Sequence, residues 1–61
     1  MTRNEYINWV LAVRLHRTKQ GDTVSTGELQ EQEDGKFLTK IFINGQKFYA
    51  GYDGFGYSVW N

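Results

Sequence analysis

Two dipeptides, Asn44-Gly45 and Asp53-Gly54, each set between strand-forming residues, restrict this chain more than any other feature. A type I′ hairpin turn needs positive φ at both central positions, which Asn-Gly and Asp-Gly supply. A two-residue loop at Asn44-Gly45 sets Ile43 opposite Gln46, Ile41 opposite Phe48, Thr39 opposite Ala50 and Phe37 opposite Tyr52. The same loop at Asp53-Gly54 sets Tyr52 opposite Phe55, Ala50 opposite Tyr57 and Phe48 opposite Val59. The two turns agree on side-chain alternation. One face collects Phe37, Ile41, Ile43, Phe48, Ala50, Tyr52, Phe55, Tyr57 and Val59 and is expected to be core, since a one-residue slip would turn the whole set to solvent.

The opposite face collects Leu38, Lys40, Phe42, Lys47, Tyr49, Gly51, Gly56, Ser58 and Trp60. On it Lys40 stands beside Tyr49 and Phe42 beside Lys47. Gly51 opposite Gly56 would bare a patch of backbone between the aromatics, a twist point or a place of close approach.

Upstream, Thr2-Arg3-Asn4-Glu5 has the pattern of a capping box, with Met1 and Tyr6 at the hydrophobic-staple positions. Glu5 near the start, Arg14, Arg17 and Lys19 near the end, and Gly21 as C′ residue suit a helix dipole and its cap. The middle of the segment has another period: Ile7, Trp9, Leu11, Val13 and Leu15 alternate as in a half-buried strand. Length decides for a helix over about residues 3–19, because strands usually run to about 3–10 residues. Its apolar face is expected to hold Tyr6, Ile7, Val10, Leu11 and Val13, with Trp9 and Leu15 at the margins. Residues 20–26 read as a polar connection. Glu33-Asp34-Gly35 reads as a three-residue loop joining a short fourth strand at 28–32, with Leu29 opposite Thr39 and Glu28 opposite Lys40; acidic residues there would guard a sheet edge.

The expected fold is α+β, in one domain over residues 1–61: one N-terminal helix packed on a three- or four-stranded antiparallel β-meander. The alternative is an all-β five-stranded small barrel in which residues 7–16 form the first strand. A helix would cover one sheet face and leave the other open.

At 61 residues, without cysteine and with one histidine, the chain has neither disulfides nor the donors of a structural zinc site, so ten aromatic residues must supply much of the core. Absence of cysteine fits a reducing compartment. The longest apolar run, Trp9 to Val13, is far too short to span a bilayer, and no secretory leader precedes it, so a cytoplasmic protein is expected. Net charge is zero but segregated: residues 1–20 are net basic, residues 21–35 carry five acids and no base, and residues 36–61 are mildly basic. Phosphate-backbone binders usually show a net basic excess.

His16 is the one group that titrates near neutrality when unperturbed, and no nucleophile or carboxylate stands at a recognisable spacing from it. Gly51, Gly54 and Gly56 lack the strand-to-helix setting of phosphate loops, and Glu28, Glu31, Glu33 and Asp34 lack the order of a calcium loop. No enzyme, cofactor or metal is therefore expected. The constellation left over is the second sheet face: Lys40, Phe42, Lys47, Tyr49 and Trp60, aromatic area interleaved with positive charge. Such surfaces serve as protein-binding hot spots. The preferred reading is a small regulatory or inhibitory protein that binds a partner protein there. A nucleic-acid binder using the sheet face, or Arg14, Arg17 and Lys19, is the alternative. A homodimer joined through open faces or the Tyr57 to Trp60 edge would also hide the aromatics.

Overall fold

A computed structural model describes residues 2–61, and within it the chain forms helix α1 (Arg3–Lys19), strands β1 (Val24–Glu31), β2 (Phe37–Ile43), β3 (Gln46–Tyr52) and β4 (Tyr57–Trp60), and a 3-10 turn at Glu33–Gly35. The helix lies over one face of an open antiparallel sheet of order β1-β2-β3-β4. This is the α+β arrangement; the sheet does not close into the barrel weighed as its alternative.

Both helix ends are built from local sequence. The Glu5 amide donates to Thr2 Oγ1 at 3.2 Å and the Thr2 amide to Glu5 Oε1 at 3.3 Å, completing the capping box. Met1, the other half of the expected staple, lies outside the described residues. At the far end Gly21 takes φ +91°, the Asp22 amide bonds to the Arg17 carbonyl and the Gly21 amide to that of Thr18. This is the Schellman pattern, and it needs a left-handed residue at position 21.

The sheet-facing stripe of α1 is buried Tyr6 and Val10 with half-buried Trp9 and Val13, the i, i+3, i+4, i+7 spacing of a helix on a flat surface. Leu11, expected within it, is instead 53 % exposed, and Leu15 stands further out. Leu11 lies at the rim of an apolar cleft of about 140 Å³ between the helix and β1, lined also by Ile7, Gly27 and Leu29. Trp9 joins two clusters: Tyr6, Val10 and Phe37 at one end, and Val24, Ile41, Ile43 and Ala50 at the other.

β1 begins earlier than expected, at Val24, so the polar connection is only residues 20–23. The Asn44 turn causes this. Its backbone N–H donates to the Thr23 carbonyl at 2.8 Å, and its Oδ1 accepts from the Thr23 amide at 2.9 Å, so β1 is held at the β2–β3 turn. A bulge between Thr26 and Leu29 then sets Gly27 and Glu28 against Lys40 and keeps Leu29 opposite Thr39.

Asn44 and Gly45 have φ 53° and 81°, the signature of the type I′ turn, and every pairing expected across β2 and β3 is present. The second turn differs. Tyr52 pairs with Tyr57 rather than Phe55, so the loop is Asp53–Gly56 and the β4 register slips by two residues. Asp53 Oδ1 accepts from the amides of Phe55 and Gly56, which wraps the chain about the carboxylate instead of placing Asp53 in the left-handed region. Those two amides hold the Asp53 carboxyl below its ordinary value. A slip of two preserves which face each side chain takes, but Phe55 leaves the sheet and is 98 % exposed. Tyr57 and Val59 keep the helix side yet are exposed at its edge, where Tyr57 stacks on Trp9 at 4.5 Å.

Candidate interaction face

Opposite the helix, the register arranges the second face as a grid. Lys40, Tyr49 and Trp60 form one row across β2, β3 and β4; Phe42 and Lys47 form the next, continued by Ser25 on β1; Leu38, Gly51 and Ser58 form the third, continued by Gln30. The structure therefore brings all five expected partner-binding residues together. Phe42 and Tyr49 are half-buried, Lys40 and Lys47 are exposed, and Trp60 is 46 % exposed.

The aromatics are fixed by one another. Tyr49 and Trp60 stack with centroids 5.8 Å apart and planes 28° off parallel. Lys40 is the cross-strand neighbour of Tyr49, but the cation over its ring is Lys47, two residues away on the same strand, with Nζ 5.3 Å from the centroid. Gly51 faces Ser58 rather than Gly56, and the space a side chain would fill at Gly51 holds the far edge of the Trp60 ring. Gly51 is buried for that reason, and Leu38 closes the same spot from β2. Leu38 is thus a floor residue of the face that its period-2 position signals but its lack of charge or aromaticity does not.

One substitution tests this contact. A Cβ at residue 51 would sit 2.7 Å from Trp60 Cη2, so Gly51→Ala is expected to push the indole off the sheet. The cost should stay below about 1 kcal/mol, since the group that gives way is the end of a half-exposed side chain. NMR should show the Trp60 indole and Tyr49 ring resonances moving while those of Trp9 stay; unmoved Trp60 signals would contradict the contact.

The other candidates are not assembled into a site. Arg14, Arg17 and Lys19 are exposed on α1, on the far side of the sheet from Lys40 and Lys47, so the two basic groups do not form one surface. Arg17 pairs with Asp22 at 3.7 Å, an exposed pair of the kind that contributes little. His16 is exposed, its Nε2 3.3 Å from Gln20 Nε2. Among the described residues no group of three His, Asp or Glu side chains is placed to hold a metal ion. The cleft beside Leu11 is well below the roughly 300–1,000 Å³ of usual ligand pockets. No helix is long and apolar enough to cross a membrane.

Comparison of the chain with protein-family models, with curated proteins and with solved structures gives no match.

Proposed function

We propose that this is a small non-enzymatic regulatory or inhibitory protein of the cytoplasm that binds a partner protein through Lys40, Phe42, Lys47, Tyr49 and Trp60. The observation that carries this reading is the uncovered second sheet face, which gathers three aromatic side chains and two lysines into adjacent rows. Partly buried aromatics held in place by neighbours lose little conformational freedom on binding, the property of interface anchors. A protein partner is favoured over nucleic acid because Tyr49 is engaged by Trp60 and Lys47 rather than standing as an open stacking platform, and because the net charge is zero. The cysteine-free composition supports the cytoplasmic setting.

Phe42→Ala with Trp60→Ala is expected to abolish capture of the partner from host lysate by the immobilised protein. Loss of two anchors worth about 2 kcal/mol each is roughly a thousandfold in affinity. Circular dichroism checks that the doubly substituted chain stays folded. Undiminished capture by that folded chain would sink the proposal. The nucleic-acid alternative predicts affinity for mixed single-stranded DNA that falls steeply with salt, since phosphate contacts release counterions; such binding, lost with Lys40→Ala and Lys47→Ala, would replace the preferred reading.

A further inference from the structure

The two edges of the sheet are treated differently. β1 carries a bulge at Gly27-Glu28 and exposed acids at Glu28 and Glu31, features that discourage a further strand from adding. β4 has none of these. Residues 54–61 contain no Asp, Glu, Lys, Arg or His and no proline, and Val59 and Trp60 are exposed on the strand, with Phe55 just before it.

The backbone phase adds a direction. The Asp53 amide bonds to the Gly56 carbonyl at 3.3 Å, making Tyr52 and Tyr57 a non-hydrogen-bonded pair. By antiparallel alternation Ser58 and Trp60 then turn their N–H and C=O groups to β3, and Val59 turns both of its own outward.

We propose that the outer edge of β4 pairs antiparallel with β4 of a second copy, joining two sheets into one of eight strands. A two-fold axis normal to the sheet gives each strand the same donors and acceptors as its mate and keeps the faces in register. Both helices then lie on one side, and the two Lys40-Phe42-Lys47-Tyr49-Trp60 faces adjoin on the other. Edges without charged side chains meet without side-chain repulsion and offer no charged side chain with which to select a partner of opposite sign. The proposal is independent of what the open face binds. A four-residue strand is a short interface, so the pairing is a reversible, concentration-dependent one.

Sedimentation equilibrium at micromolar concentration is expected to give twice the 7.1 kDa of the chain, falling to the single mass on dilution. Val59→Pro removes the outward N–H while leaving the β3 bonds of residues 58 and 60, so it should yield a folded chain of single mass. Val59→Lys, which places a charge on the edge, should do the same and covers the case in which the proline variant fails to fold. Hydrogen exchange at the Val59 amide of the unaltered protein should slow as concentration rises. A single mass across the micromolar range would overturn the proposal. So would a dimer that survives Val59→Lys, and one that instead dissociates with Phe42→Ala would place the second copy on the open face.

Discussion

Tyr6→Ala is expected to cost about 3–5 kcal/mol, the range for truncating a buried aromatic, and so to remove a large part of the chain's stability. Domains hold roughly 0.05–0.15 kcal/mol per residue, which for 61 residues is only several kcal/mol in all. Tyr6 is 0 % exposed, stacks on Phe37 at 5.0 Å, and sits at the helix end of the core. Its hydroxyl adds a polar tie. The phenol has one hydrogen, which goes to the Ala50 carbonyl of β3, so the 2.9 Å contact with Thr39 Oγ1 is completed by the threonine hydrogen. Helix, β2 and β3 thus meet at one oxygen. Tyr6→Phe keeps the ring but takes from the buried Thr39 hydroxyl its acceptor and from the Ala50 carbonyl the second of its two donors, the cross-strand Thr39 amide remaining, a loss of about 1–3 kcal/mol, or about 4–8 °C in Tm for each kcal/mol in a chain this small.

The same environment makes an alkaline limit. Burial raises the Tyr6 phenol above its ordinary value of 10.0, against a smaller opposing effect of the Thr39 hydrogen bond. The folded state therefore favours the neutral phenol: its contribution is fully present below pH 10.0 and is lost as pH rises through the higher folded value. Urea unfolding of the native chain across that window should show the loss, and Tyr6→Phe should show less of it, which separates Tyr6 from the other tyrosines. Equal stability and equal alkaline slopes for the two proteins would refute this account of the core.

What the sequence revealed and what it hid divide by how local the deciding bonds are. The capping box and the Asn44-Gly45 turn are closed by residues within four positions of one another, so their pattern is their cause. The Asp53-Gly54 turn uses equally local bonds, but the dipeptide supports two of them, and the carboxylate's grip on the Phe55 and Gly56 amides prevails. Because the slip is even, face assignments survive it, and the five residues of the second face could be grouped from alternation alone. The Trp60 contact with Gly51 could not, because it depends on the slipped register. Leu11 misleads for a different reason: its exposure at the rim of the cleft against β1 depends on how helix and sheet meet, which neither segment announces. The separation of Arg14, Arg17 and Lys19 from Lys40 and Lys47 is likewise a matter of which side of the sheet the helix takes.

Asn44→Ala is the second large effect, about 2–3 kcal/mol, and it has two sources. A non-glycine residue other than Asn or Asp costs about 1–2 kcal/mol in the left-handed region, and Asn44 sits there at φ 53°. The side chain also takes the Thr23 amide on Oδ1 and donates from Nδ2 to Asp22 Oδ1, each at 2.9 Å, fastening the start of β1 to the β2–β3 turn. Exposed hydrogen bonds of this kind contribute at the low end of about 0.5–1.5 kcal/mol each. Asn44→Gly separates the sources, since it accepts the backbone angle and forfeits only the side-chain bonds; it should recover about half the loss. Asn44→Asp keeps the backbone tolerance and the Thr23 bond but sets a carboxylate against that of Asp22, so its deficit should shrink with added salt and as pH falls into the carboxylate range. Val24, buried immediately after this clasp, should report the damage through faster amide exchange in β1 while β2 and β3 stay protected. A glycine variant no better than alanine would deny the backbone its share, and an aspartate deficit indifferent to both salt and pH would deny the clasp to Asp22.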